Sequence, residues 1–444
     1  MTQVRQIFDF AVVGGGIAGL AIAELLQRSG ASVVLFEKNR TLCAEASAEQ
    51  QGWFHTGALY AALPRNFFCR TMVGNLDDLV DYYSGFPNMN LRIDKHISST
   101  SQQGWFSNRT NFYAYTSVQG VNWKWKLPWA VALYRAKRRM SWFETLDANK
   151  SLSHQLGFGA KPIRYVQHDS ALDVNLDGIA FVLKSRDRAM HTTLIAEDLL
   201  RSFLGGGGTL RMGTKIEAIE KGHLVARREH LGEVTDYTVR HIVLATGKDS
   251  PAFDRNVRVF ISPLLVVAPA LTDMNFVRMS PLMRDTINHV YHRNGQVDYS
   301  VIGNAIYYDS RQWTESLSEE VRTHMIGVAR RVLGDFDESR TGLFFGSKTE
   351  TGGSRSMRNY LYRIIDRGAY TLALPGKFSL CFSLATNLCR HFGIEPVERI
   401  RMGASDVTGF IEPPKHLHLA TQIGHRSSQS GLPRTVAALS VENL

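Results

Sequence analysis

Residues 10–38, FAVVGGGIAGLAIAELLQRSGASVVLFEK, read as a strand, a glycine turn, a helix, a second strand and a closing acid. Phe8 to Val13, apolar except for Asp9, reads as a buried parallel strand. Ile17 to Ser29 repeats apolar residues at helical spacing, and Ser32 to Phe36 is again a strand. The glycines keep the spacing Gly14-x-Gly16-x-x-Gly19, which fits a dinucleotide turn with a task for each. Gly14 permits the tight turn, Gly16 lets a pyrophosphate approach the backbone, and Gly19 allows close helix–strand packing. Phosphates then meet the helix start at Ile17 and Ala18, where free N–H groups and the helix dipole favour anions. Glu37, followed by Lys38, closes the second strand eighteen residues after Gly19. A carboxylate there accepts hydrogen bonds from ribose hydroxyls and disfavours a 2′-phosphate, which argues against NADP.

Outward from this unit, a chain of 444 residues has room for two domains, since single cores seldom grow beyond about 250–300 residues. With 44% apolar and 21% charged residues it has the composition of a globular protein, so disordered and fibrous classes are excluded. The four cysteines show no CxxC pair, which suits a reducing compartment and argues against a disulfide framework, a zinc site or a redox dithiol. No metal site is expected. The first apolar run is broken by glycines and reads as a core strand, not a secretory signal. The expected location is cytoplasmic, with peripheral membrane contact left open. The net charge of +10 is compatible with an acidic partner, but no nucleic-acid module accompanies it, so nucleic-acid binding is not expected.

Further along, HTTLIAEDLLRSFLGGGG (191–208) is an amphipathic helix whose glycines stop it. Residues 208–247 read as a strand, a β-meander and a core strand ending HIVLATG, and 369–393 as a strand, a Pro-Gly turn and a helix. Between these blocks, 258–365 alternates apolar and polar residues as antiparallel strands do. The expected organisation is a discontinuous nucleotide domain (1–90, 186–257 and 366–400) and a substrate or cap domain (91–185 and 258–365). Residues 401–444 are expected as a loosely structured tail or wrap.

Four pieces together resemble the FAD-dependent D-amino-acid oxidase superfamily, which includes glycerol-3-phosphate and 2-hydroxyglutarate dehydrogenases and sarcosine- and dimethylglycine-oxidising enzymes. They are the fingerprint with Glu37, the loop EASAEQQGWFHTGALY (45–60), Ile216 together with Thr246 and Gly247, and the turn LPGKFS (374–379). The resemblance implies a Rossmann-like α/β FAD-binding domain of the glutathione-reductase type, discontinuous, and an α+β substrate domain with a mostly antiparallel sheet. It also implies that Ser47 and Ala48 lie at the diphosphate, and that His55, Thr56 and Gly57 lie near the isoalloxazine. Ile216 would meet the adenine, and Gly376, Lys377, Phe378 and Ser379 would face the flavin pyrimidine. The chain departs from the usual pattern at Ala48, Glu49 and Gln50, where relatives often have small or hydroxyl residues followed by Arg-Asn. No second GxGxxG follows a strand, so electrons are expected to come from the substrate and to leave to oxygen or a quinone.

The expected chemistry is removal of a hydride from a small amine, amino acid or hydroxy acid, with an anionic substrate favoured. The alternative is a flavin-binding protein without turnover that serves as an interaction module. Lys377 is a candidate to stabilise charge developing on the flavin. His55 is open to three readings: a covalent flavin link, a base near the substrate, or a packed histidine. Lys348, Arg358 and Tyr360 are candidates to hold a carboxylate or phosphate, and Arg358 is also a catalytic candidate. His289, His292, Tyr299 and Tyr307 fall on alternating strands that either line a cavity or pack a sheet. No GxSxG or HExxH supports a hydrolase. Finally, WKWKLPWAVALYRAKRRMSWF (123–143) has six basic residues, four tryptophans and no acid. It reads as a membrane-interface helix, a basic mouth for an anionic substrate, or a plain amphipathic helix of the cap. Oligomeric state is not legible.

Overall fold

The computed structural model describes residues 6–55, 57–64, 71, 72, 75, 78, 79, 82, 105–107, 109, 111–145, 174–185, 187–295, 297–351, 361–397, 403 and 406–428, without the side chains of 6, 140–145, 294 and 426–428. Its strands begin with β1 (Gln6–Val13), β2 (Val33–Phe36), β3 (Trp53–Phe54), β4 (Asn111–Thr116), β5 (Ile179–Ser185) and β6 (Arg188–Ala189). Next come β7 (Thr209–Arg211), β8 (Thr214–Glu220), β9 (His223–Arg228), β10 (Glu233–Leu244), β11 (Val257–Val267) and β12 (Asn275–Met279). The last are β13 (Ile287–Asn294), β14 (Val297–Asn304), β15 (Tyr308–Asp309), β16 (Thr341–Thr351), β17 (Arg363–Asp366) and β18 (Thr371–Leu374). The described helices are α1 (Ile17–Arg28), α2 (Trp123–Thr145), α3 (Thr192–Gly205), α4 (Glu315–Leu333), α5 (Cys381–His391) and α6 (Lys415–Ser428).

The first sheet runs β17-β18-β10-β1-β2-β7, with the β8–β9 meander attached to β10. The pairs β18–β10, β10–β1, β1–β2 and β2–β7 are parallel. Phe10 and Val12 join the cluster formed with α1, α3 and α5, whereas Ala11 and Val13 join the cluster on the meander side. Burial on both faces explains why β1 is apolar without alternation from Phe10 to Val13. Glu24 is fully buried in α1, where a helical pattern alone would place it at the surface. Arg28 Nε pairs with it at 2.8 Å, Ser202 Oγ donates to it at 2.6 Å, and the Tyr82 hydroxyl donates as well.

The second sheet runs β15-β11-β14-β13-β12-β4-β5, with β16 paired to β11. Its pairings are antiparallel except β12–β4. One face packs against α4 through Val321, Met325, Val328 and Val332. The other face holds Tyr113, Tyr115, Val277 and Val290 together with Trp53, Tyr60 and Leu380. Of the strands on either side of residues 352–360, which lie outside the described residues, β16 belongs to this sheet and β17 to the first. The segment expected as a loose tail carries α6, whose Leu419, Ala420 and Ile423 pack on Leu264, Val301 and Phe344. Lys415 N anchors its start by donating to Ala48 O at 2.9 Å.

Candidate active site

The end of β1 and the start of α1 meet with no room to spare. Gly14 has φ +106°, and a Cβ there would lie 2.4 Å from Ala245 O. A Cβ on Gly19 would lie 1.8 Å from Gly14 O, so these two glycines let β10, β1 and α1 approach. Gly16 is different: its φ is −69°, and an added Cβ would meet only Ser47 Oγ, at 3.3 Å. Gly16 therefore borders open space at the head of α1. There Ile17 N–H donates to Ser47 Oγ at 3.0 Å, and Ala18 is buried behind it.

Glu37 closes this cradle from the end of β2. Its carboxylate accepts from Gly15 N at 2.6 Å and from Asn39 N and Nδ2, each at 2.8 Å. Burial pushes its carboxyl above the ordinary range, and the backbone donors Asn39 and Gly15 oppose that shift. Lys38 pairs with Asp249 at 2.6 Å and with Glu45 at 2.9 Å. The same ion-pair group lies beside Thr246 and Gly247 at the head of a 3-10 turn, where Thr246 Oγ1 is 3.1 Å from Ser250 Oγ. Ile216 lies on β8 opposite Ala226 and packs on the meander-side cluster. Cys43 approaches Gly15 O, but burial pushes its thiol up to about 12, so it stays neutral.

The loop that leaves this cradle reaches both sheets. Ala48 is buried, and Glu49 beside it accepts from Ser347 N at 2.9 Å and Ser347 Oγ at 2.5 Å. Its other oxygen accepts from Lys415 Nζ at 2.6 Å. Glu49 thus ties the loop to β16 and α6. Beyond it, β3 pairs with β6, which brings Asp187 under Trp53 and His55. Asp187 is fully buried and accepts from Tyr113 OH at 2.5 Å and Trp53 Nε1 at 3.2 Å, with His55 Nδ1 at 3.4 Å. The His55 ring stacks on Trp53 and meets Tyr60 edge-on, and Gly57 opens the Ala58–Tyr60 turn with φ +106°.

Lys377 enters from the other side. Gly376, at φ +66°, makes the turn, and Lys377 heads the Phe378–Leu380 3-10 turn that leads into α5. Its ammonium lies 5.5 Å from the Tyr60 ring centroid. Ser379 Oγ is buried without a protein partner, a polar group that needs a ligand or water. Lys348 Nζ donates to Tyr307 OH at 2.6 Å, so a candidate anion-holding residue and a candidate cavity residue stand together. Burial pushes His55 down to about 4, helped by the Lys377 and Lys348 charges and opposed by Asp187. The imidazole is neutral at pH 7, and two ammonium groups lie within Coulombic reach of it.

His289 and His292 do not join this group. His289 bonds Met274 O at 2.8 Å and Ser300 Oγ at 2.6 Å inside the second sheet. His292 bonds Gln51 O at 3.0 Å and stacks on Tyr299, which bonds His416 of α6 at 2.9 Å. Thr56, Arg358 and Tyr360 lie outside the described residues. Sequence reasoning missed Asp187, Tyr113 and Tyr60. The one available signal was a single acid between basic residues in SRDRAM (185–190), and the β3–β6 pairing that gives it meaning is a tertiary feature.

The cradle fits an adenine dinucleotide. A phosphate has space at Gly16 and the head of α1, and Glu37 offers carboxylate oxygens at the end of β2. Ser379 supplies an unmatched hydroxyl next to Lys377.

A family model described as FAD dependent oxidoreductase matches residues 9–371. No curated protein sequence matches the chain significantly. Among solved structures, the chain is similar to a dithionite-reduced L-alpha-glycerophosphate oxidase from Mycoplasma pneumoniae with FAD bound (TM-score 0.61, 14% identity, covering 90% of this chain and 97% of that one). It is also similar to glycine oxidase from Geobacillus kaustophilus (TM-score 0.58, 14% identity, covering 91% and 98%). L-proline dehydrogenase from P. horikoshii is a third (TM-score 0.55, 12% identity, covering 87% and 95%). At these identities the structural likeness shows the fold.

Proposed function

The chain belongs to the FAD dependent oxidoreductase family, an enzyme family whose cofactor is FAD, and from that premise we propose that it oxidises a small anionic amine, amino acid or hydroxy acid. When bound, FAD supplies the acceptor for the hydride and its two electrons. The protein's part is to hold the substrate, set the charge of the site and move a proton.

The observation that supports the substrate class is that the charges of Lys348 and Lys377 both act on His55, with Lys377 5.5 Å from the centroid of the Tyr60 ring that His55 meets edge-on. Two ammonium groups in a site with a neutral imidazole favour a negatively charged ligand. The three similar structures named above carry names for enzymes of glycerophosphate, glycine and proline, each a small molecule with an anionic group. Lys348 is the proposed anchor for that group. Asp187, 3.4 Å from His55 Nδ1, favours the tautomer with the proton on Nδ1, which leaves the lone pair on Nε2. That nitrogen takes the proton from the substrate N–H or O–H as the C–H bond breaks. Lys377, at the head of the 3-10 turn that leads into α5, would set positive charge beside developing negative charge. Gly16, Ile17, Ser47 and Glu37 would hold the diphosphate and ribose, with Thr246, Gly247 and Ile216 toward the adenine. Oxygen or a quinone takes the electrons onward.

The test compares turnover of candidate acids with turnover of their uncharged methyl esters, in the native enzyme and in Lys348→Met. Loss of a charge-assisted hydrogen bond should lower kcat/KM for the acid about 10- to 100-fold and leave the ester nearly unchanged. Equal losses for acid and ester would rule out an anion-anchoring role for Lys348.

A further inference from the structure

Helix α2 carries two apolar faces, and the fold uses one. Trp129 and Ala136 are buried, with Ala132 and Leu133 packed beside them, in the cluster that includes Tyr115 and Phe181. Trp129 Nε1 donates to Thr116 O at 2.8 Å, and Arg139 donates to the carbonyls of Ala61, Leu63 and Pro64. The inner face is therefore fixed to the body of the protein.

On the opposite side Trp123, Leu127, Val131 and Tyr134 follow the i, i+4, i+8, i+11 spacing of a single helical stripe. Their exposures are 78%, 73%, 36% and 63%. Lys124, Lys126, Lys137 and Arg138 are also exposed on this helix, and no acidic residue falls between 123 and 143. An apolar stripe rimmed by like charges marks a docking surface. Among the described residues no helix is long and apolar enough to cross a membrane, so α2 is not a span.

We propose that the outer face of α2 lies on an anionic lipid bilayer, with Trp123, Leu127, Val131 and Tyr134 at the headgroup–acyl boundary and Lys124, Lys126 and Arg138 on the headgroups. Aromatic rings and long basic side chains suit that boundary, because each joins an apolar body to a polar or charged end. A second copy of the chain is a poor occupant, since a two-fold contact through this stripe would bring the two basic rims together. The head of the helix adds a further anion-seeking feature. Trp125 and Leu282, both exposed, line a cavity of about 310 Å³ together with Arg278, Arg331 and Asp285. Arg278 Nε has no protein partner, and Thr116 Oγ1, buried in the cavity wall, has none either. Burial and the neighbouring Arg331 charge both lower the basicity of Arg278, with Asp285 opposing, so an anion entering here relieves a like-charge pair.

Flotation of the full-length FAD-loaded protein with phosphatidylcholine vesicles, with and without phosphatidylglycerol, tests the proposal without reference to turnover. At low salt the protein should float with the anionic vesicles and remain below with the neutral ones. Trp123→Ala/Leu127→Ala/Tyr134→Ala keeps every charge, and all three side chains are exposed, so the fold is retained. This variant should lose at least tenfold in partition. Lys124→Gln/Lys126→Gln/Arg138→Gln should lose about fivefold for each charge removed. The proposal is overturned if the native protein does not float with anionic vesicles, or if the stripe variant floats as well as the native protein. Light scattering that shows a dimer abolished by the stripe substitutions would overturn it in favour of a contact between copies.

Discussion

Gly14, Gly16 and Gly19 share one motif and answer to different constraints. A side chain at Gly19 would collide with Gly14 O, and one at Gly14 would collide with Ala245 O, whereas Gly16 faces Ser47 Oγ across open space. Gly19→Ala should therefore lose about 3 kcal/mol or more of stability, because backbone must move. Gly16→Ala should stay within about 1 kcal/mol of the native protein, since its backbone angles suit alanine, yet bind FAD at least tenfold more weakly. Urea unfolding of the apoproteins and FAD titration of each variant separate the two cases; similar stability losses in both would show that Gly16 is a packing glycine too. The motif was legible because its spacing is local. The partners of His55 were not: Asp187 and Tyr113 arrive from distant strands, and nothing near His55 in sequence announces them.

At the scale of elements, the parallel strand–helix units could be read directly, since β1 and α1 bury continuous or periodic apolar residues. Helix α6 could not, for a physical reason. Its buried positions are His416, Leu419, Ala420 and Ile423, and a histidine in the first place breaks the apolar count, although it is enclosed by Tyr299, His292 and Phe344. Glu24 misleads in the same way, as a charge in a core satisfied by Arg28 and Ser202. The loop 45–52 departs from the family pattern at Glu49, and the structure gives that departure a role in fastening the loop to β16 and α6. Glu49→Ala leaves Ser347 and Lys415 without their acceptor and should cost about 2–4 kcal/mol. It should also weaken FAD binding, because the same loop carries Ser47. A double-mutant cycle of Glu49→Ala with Lys415→Met checks the link, and strictly additive losses would show that the pair is not coupled.

For the whole molecule, the buried histidines set the response to acid. His55, His289 and His292 are each pushed from 6.5 to about 4 by burial, and His416 is held well below its ordinary value. In the unfolded chain these groups protonate near 6.5, so between about 6.5 and 4 the unfolded state binds more protons. Stability then rises with pH and is lost as pH falls through that window. Glu37 and Asp198, raised by burial, act in the opposite sense over the lower part of it. Urea midpoints should fall steadily from pH 7 to pH 5, and a flat profile over that range would show that the four histidines are not held neutral. The same burial keeps His55 neutral while the Lys377 and Lys348 charges keep its surroundings positive, a combination that suits binding of a small anion.

The most direct measurement is anaerobic mixing of the purified FAD-loaded protein with a panel of amino, N-methylamino and hydroxy acids and polyol phosphates, read by the visible flavin band. At least one anionic compound should bleach the band at a saturable rate, and His55→Ala should slow that bleaching about 10²- to 10⁴-fold while still binding FAD. A band that dithionite bleaches but every compound in the panel leaves intact would contradict the account, as would equal bleaching rates in the native protein and His55→Ala.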